Sequence, residues 1–135
     1  MNSILVTLVL VCLSSLSPLA QGADAKATPA KEKKIKIEEF ETLRAKPNFQ
    51  VLDVRSQEEF KAGHVAGAKN LSVNDPEFAK KLSALDKSKT YLVHCARGKR
   101  SAIATDQMLK AGLTNVLDFS GGFESWIKAG KPVEK

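Results

Sequence analysis

Tyr91-Leu92-Val93-His94-Cys95-Ala96-Arg97-Gly98-Lys99-Arg100-Ser101 is the stretch on which the reading of this chain turns. With Thr90 before it, its first half is a run of aromatic, β-branched and aliphatic residues of strand length. Its second half breaks that run with a cysteine, a glycine and three cations, and a helical pattern follows from Ser101 to Ala111. A strand that delivers a residue into a glycine-containing loop opening a helix belongs to a parallel α/β sheet. Cys95 then stands at the carboxyl edge of a central strand, where ligands bind in such folds.

Outward from that segment, short apolar runs alternate with helical patterns. Phe49 to Val54 reads as a second central strand and Val116 to Phe119 as a third, while Ile35 to Ile37 and Ala68 to Leu71 are weaker, edge candidates. Helices are expected over Ile37 to Lys46, Gln57 to Lys61, Pro76 to Leu85, Ser101 to Ala111 and Gly122 to Ala129. Their punctuation agrees: Ser56 and Glu59 have capping-box spacing, Pro76 suits a first helical position, and Gly112 and Gly130 suit left-handed helix stops. The expected fold is therefore α/β, a central five-stranded mostly parallel sheet with helices on both faces.

Of 135 residues, 1–25 read as a secretory signal: an apolar run from Ile4 to Leu13, a Ser/Pro-containing segment, and the small-residue sequence Ala20 to Ala25 with cleavage after Gly22 or Ala25. The run falls short of the roughly 20 residues that span a bilayer and is followed by Ser14, Ser15, Ser17 and Pro18, which argues against an anchor and against stable membrane association after cleavage. Cys12 follows Val11 where lipid acylation needs a small residue, so it is read as lost with the signal. Residues 26–33, with Lys26, Lys31 and Lys33 among Ala and Pro, read as a flexible leader, and 34–135 as one domain, expected to be a monomer and periplasmic or secreted.

Cys95 is then the one cysteine of the processed chain, which excludes an intramolecular disulfide. Two histidines, His64 and His94, form no cluster with it at ligand spacing, so neither a metal nor any other cofactor is expected. The formal charge of +6 becomes +7 once the signal's single charged residue, Asp24, is removed, a balance that favours anionic partners. No basic helix or aromatic-interleaved basic surface points to nucleic acid.

The chemistry lies in the loop. Backbone N–H groups of a tight turn converge on one point, the following helix adds the positive end of its dipole, and Arg97, Lys99 and Arg100 reinforce that field. Such surroundings suit a nucleophilic thiolate and are poor for an inert buried thiol. Gly98 provides a backbone conformation or close approach that a Cβ would obstruct.

This segment resembles the active-site loop of rhodaneses, C-x-x-G-x-R-[ST]. The likeness extends over nearly all of Ile35 to Val133. Leu52-Asp53-Val54-Arg55 and Glu58-Glu59-Phe60-Lys61-Ala62-Gly63-His64-Val65-Ala66-Gly67-Ala68 look like the family's upstream signature. Gly112 to Val116, Gly121-Gly122-Phe123-Glu124-Ser125-Trp126 and Gly130 to Val133 match its closing pattern. The resemblance implies a single-domain exported thiosulfate sulfurtransferase. In that reaction the Cys95 thiolate takes the outer sulfur of thiosulfate as a persulfide, releases sulfite, and passes the sulfur to cyanide or a thiol. It also implies that Arg97 and Lys99 hold the donor's oxygens, that the backbone of Ala96, Gly98, Arg100 and Ser101 completes the cradle, and that Ser101 caps the helix or donates to the sulfur. Asp53 and Arg55 are expected to support the loop by ion pairing. His64, expected in a turn, His94, expected on the opposite face of its strand, and Trp126 are read as structural.

Two rivals come from other classes. A cysteine-dependent phosphatase or arsenate reductase carries H-C-x₅-R, but four residues separate Cys95 from Arg100 and Ser101 stands where the arginine would be. A non-catalytic binding module on the same fold commonly lacks the nucleophile, and here Cys95 is present with its cations.

Overall fold

The computed structural model describes residues 32–135; the expected signal segment, Cys12 and all but the end of the leader lie outside them. Twelve elements follow one another: β1 (Lys33–Lys34), α1 (Ile37–Arg44), β2 (Phe49–Asp53), α2 (Gln57–Ala62), β3 (His64–Val65), β4 (Lys69–Asn70), α3 (Phe78–Ser83), β5 (Thr90–His94), α4 (Lys99–Lys110), β6 (Val116–Asp118), α5 (Gly122–Lys128) and β7 (Val133–Glu134). The main sheet has the order β1-β6-β5-β2-β4, and every pairing within it is parallel. β5 occupies the centre, in register with β2 from Phe49↔Thr90 to Asp53↔His94.

Alternation along the central strands sorts their side chains into two cores. On one face, Leu52, Val54, Tyr91, Val93 and Cys95 pack with Phe78 and Leu82 of α3 and Ala104 and Met108 of α4. On the other, Val51 and Leu92 meet Phe40 of α1, Phe119, and Phe123 and Trp126 of α5. With both faces covered, the central strands read as continuous apolar runs, which is why they were the legible ones. Trp126 is fully buried and donates its indole N–H to the Pro132 carbonyl.

Several boundaries differ from expectation, each for a physical reason. Ile35 follows β1 as a buried plug, 3% exposed, and its N–H goes to the Asp118 carbonyl; the edge strand is Lys33–Lys34, so the leader's last residue belongs to the domain. At the other edge only Lys69–Asn70 pairs with β2. Pro76 lies ahead of α3 rather than inside it, because Asp75 Oδ1 takes the Glu77 N–H and delays the helix. α4 begins two residues earlier than Ser101: Gly98, at φ +96°, is its N-cap. His64 is not in a turn. It forms β3, which pairs antiparallel with β7 through His64↔Glu134 and Val65↔Val133.

Candidate active site

β5 ends at His94, and Cys95 is the next residue, 1% exposed beneath the loop it opens. The Gly98 N–H donates to Cys95 Sγ at 3.0 Å. By helix geometry the N–H groups of Lys99, Arg100 and Ser101 have no intrahelical partner, since the first such bond runs from Ala102 N–H to the Gly98 carbonyl. The sulfur thus faces the N-terminal end of a 12-residue helix whose free donors and dipole favour negative charge.

The loop is clamped from the side by the start of α5. Phe123 N–H donates to the Cys95 carbonyl at 2.7 Å and Glu124 N–H to the Ala96 carbonyl at 3.1 Å, so orphan donors of one helix satisfy the carbonyls of the cysteine loop. A Cβ on Gly122, which has φ +67°, would stand 2.4 Å from the Ala96 oxygen; this approach needs glycine. His94, fully buried on the opposite face from Cys95, completes the clamp: its Nδ1 lies 3.1 Å from the Cys95 carbonyl. Burial pushes the ring's pKa below the usual histidine value, with Asp53 opposing, so the imidazole is neutral; a carbonyl only accepts, which puts the proton on Nδ1.

Behind Phe123 stands the Asp53–Arg55 pair, both nearly inaccessible. Arg55 Nε lies 3.0 Å from each Asp53 carboxylate oxygen, and its terminal nitrogen donates to Asp53 Oδ2 at 2.6 Å and to the Gly63 carbonyl at 2.7 Å. The guanidinium carbon sits 4.0 Å over the Phe123 ring. Asp53 and Arg55 are thus ion-paired with each other, and through Arg55 they touch Phe123, whose N–H holds the Cys95 carbonyl. Asn70, which sequence reasoning passed over, ties this corner down by donating to the carbonyls of both.

The cations do not all face the sulfur. Arg100 gives both terminal nitrogens to Glu59, at 2.6 and 2.9 Å, and that pairing holds the Glu59 carboxyl down at about 2. Glu59 also closes the capping box with Ser56 at the start of α2, so the pair links α2 to the loop. Arg97, largely exposed, is bound through Nε to Glu124 Oε1 at 2.7 Å. Among the described residues Lys99 forms no ion pair. Ser101 neither caps α4 nor donates to the sulfur: it lies inside the first turn, fully buried, with its hydroxyl on the Gly98 carbonyl. Next to it is a group the sequence gave no reason to single out, Asp118, fully buried with neither carboxylate oxygen hydrogen-bonded among the described residues and its pKa raised to about 7 by burial and by the facing carboxyl of Glu32. No group of three or more metal-ligating side chains occurs among the described residues, and none of their helices is long and apolar enough to cross a membrane.

An α/β sheet that presents a cysteine at the carboxyl end of its central strand, inside a loop that starts a helix, defines a class of cysteine-loop domains. Within it, residues 36–129 match the family model of the rhodanese-like domain, and the chain belongs to that family. It is 38% identical over 93 residues to thiosulfate sulfurtransferase 16, chloroplastic, of Arabidopsis thaliana, covering 62% of this chain and 78% of that one. To thiosulfate sulfurtransferase GlpE of Pseudomonas putida it is 33% identical over 102 residues, covering 76% and 90%. Two further plant relatives are longer, and the matches span 55% and 56% of their length. A rhodanese-related protein from Thermoplasma volcanium superposes with a TM-score of 0.65 at 35% identity, over 76% of this chain and 97% of that one.

Proposed function

We propose that this protein is a sulfurtransferase that moves a sulfane sulfur from thiosulfate, or a similar donor, to cyanide or a thiol acceptor through a persulfide on Cys95. The observation that carries the reading is the Gly98 N–H on Cys95 Sγ at 3.0 Å at the head of α4, one backbone donor on a sulfur atom at the start of a helix. Family membership and relatives named as thiosulfate sulfurtransferases support the reaction class.

In the first half-reaction the Cys95 thiolate attacks the donor's outer sulfur. A new S–S bond forms, the donor's own S–S bond breaks with its electron pair on sulfite, and the persulfide anion remains under the helix start. In the second, cyanide or a thiolate attacks the outer sulfur and returns Cys95 as thiolate. The loop backbone of Ala96 to Ser101 holds the charge in both steps. A phosphatase reading is disfavoured by Arg100, whose terminal nitrogens are engaged by Glu59 rather than offered to a phosphate.

The test is mass spectrometry of the intact protein. Thiosulfate should add the mass of one sulfur atom, cyanide should remove it with release of thiocyanate, and Cys95→Ala should do neither. A Cys95→Ala variant that still makes thiocyanate sinks the proposal. The same reading includes export: residues 1–25 act as a secretory signal and the processed protein begins near Ala23 or Lys26 in the periplasm or outside the cell. N-terminal sequencing after fractionation checks this, and a full-length cytoplasmic product refutes it.

A further inference from the structure

The sequence presents three cations within four residues of the loop, and counted alone they make its mouth strongly positive. The structure places two carboxylates against them. Glu59 engages Arg100 and Glu124 engages Arg97, so three cations against two carboxylates leave one net positive charge. The two carboxylates differ in kind. Glu59 belongs to the α2 capping box and is partly buried with Arg100, as a structural tie would be. Glu124 is exposed and its side chain caps nothing, but its backbone is fixed to the loop: Glu124 N–H to the Ala96 carbonyl, with Phe123 N–H to the Cys95 carbonyl one residue before. Its backbone is thereby fixed one residue from the bond to the nucleophile's own carbonyl, and its carboxylate rests on Arg97 of the same loop. That is a costly place for an anion beside a site that takes up anions.

We infer that Glu124 tunes the charge selectivity of the cysteine loop, cutting the advantage that the loop's cations give dianionic sulfur donors over singly charged and neutral ones. The inference rests on the sulfurtransferase reading and names the donor class within it. Arg97 and Glu124 form an exposed pair, which is weak, so an arriving anion can draw Arg97 away. Arg97 and Lys99 then attract the donor, and against them stands the Glu124 carboxylate left behind on α5. It repels a dianion such as thiosulfate twice as strongly as a monoanion such as an alkyl thiosulfonate or an organic hydropersulfide, and a neutral molecule hardly at all. The reaction itself is unchanged. With a thiosulfonate the Cys95 thiolate takes the outer sulfur and the donor's S–S bond breaks with its electron pair on a sulfinate; with a hydropersulfide anion the pair leaves on a thiolate.

The experiment compares the wild-type full chain with Glu124→Gln, Glu124→Asp and, as a remote control adding the same net charge, Asp106→Asn, whose partner is Lys110 at the far end of α4. Single-turnover loading is measured with thiosulfate and with methanethiosulfonate at low and high salt. Glu124→Gln should speed loading by thiosulfate roughly three- to tenfold and by methanethiosulfonate roughly two- to threefold at low ionic strength, with both gains shrinking as salt screens the charge. Glu124→Asp and Asp106→Asn should keep wild-type selectivity.

A second readout needs no sulfur transfer: alkylation of Cys95 by anionic iodoacetate against neutral iodoacetamide at low reagent concentration, located by peptide mass. Glu124→Gln should raise that ratio roughly threefold or more. If neither donor loads wild type but the alkylation ratio responds, the sulfurtransferase reading fails and the selectivity role stands. If the alkylation ratio and the ratio of the two donors are both unmoved by Glu124→Gln, the inference is wrong.

Discussion

Replacing Gly98 by alanine puts the cradle's geometry to a direct test, because two separate penalties fall on that residue. Its φ of +96° lies where a side chain is disfavoured, and an added Cβ would stand 2.4 Å from the Ser120 carbonyl oxygen and 3.1 Å from the Ser120 carbonyl carbon and Cα. The first penalty costs about 1 to 2 kcal/mol. The second meets backbone, which cannot swing away as a side-chain tip would, and overpacking of this kind costs about 1 to 3 kcal/mol. Gly130 supplies the comparison, since its φ is +67° but nothing lies within 4 Å of its Cβ position. Gly130→Ala bears the first penalty alone, partly offset by about 0.4 to 1 kcal/mol from the restricted unfolded chain. Urea unfolding should therefore rank Gly98→Ala about 2 to 4 kcal/mol below wild type and Gly130→Ala within about 1 kcal/mol of it. If the loop relieves the clash by moving, stability recovers but the Gly98 N–H leaves the sulfur, so persulfide loading must fall. A Gly98→Ala protein that equals Gly130→Ala in both stability and loading would refute the account of the cradle.

Three more outcomes follow from the charged groups around it. Glu59 is held at about 2 against an ordinary 4.5, so its contribution is present above pH 4.5 and lost as pH falls toward 2. Unscreened, that difference is about 3 kcal/mol, and screening of a side chain 38% exposed reduces it to about 1 kcal/mol. Glu59→Gln should thus be less stable than wild type at pH 7 and nearly equal at pH 2, and an unchanged gap at pH 2 contradicts the pairing. Asp118 has the opposite sign: its folded-state pKa of about 7 lies above the ordinary 3.8, so folding favours the protonated acid and wild type loses stability as pH rises from about 4 to about 7. Burial does most of the raising, the Glu32 carboxyl adds to it, and the Lys34 charge opposes it. Asp118→Asn should remove that slope and gain about 1 to 3 kcal/mol on wild type between pH 5 and pH 8, read from urea midpoints; parallel pH profiles count against it. Arg55→Lys keeps the charge but loses the fork on Asp53 and the contact over Phe123, and should cost about 2 kcal/mol or more in the same assay.

The strand-loop-helix around Cys95 was legible because β5 and β2 are buried on both faces and announce themselves as unbroken apolar runs. The edges were only partly so: the Ala68 to Leu71 candidate contains β4, whereas two-residue pairings such as Lys33–Lys34 or His64–Val65 are too short to show a period. Ser101 was misread because serine is a common helix cap, whereas a left-handed glycine three residues earlier starts the helix and leaves the serine buried in its first turn. The cations are plain in the sequence, but their partners are not. Arg100 and Glu59 are 41 residues apart and Arg97 and Glu124 27 apart, and no local pattern reveals which carboxylate folding will bring to which cation. The upstream motif contained Glu59 all along, though only its capping role could be inferred from spacing.

Cys95 carries a final consequence, which concerns time rather than affinity. A sulfur atom on a residue 1% exposed is not struck directly by a molecule arriving from solvent. The loop over it, tied by the carbonyls of Cys95 and Ala96 to α5, must first give way, and that opening precedes whatever reacts. Reaction rates of Cys95 should therefore rise with reagent concentration and then level off at the opening rate, at one ceiling shared by iodoacetamide, iodoacetate and sulfur donors alike.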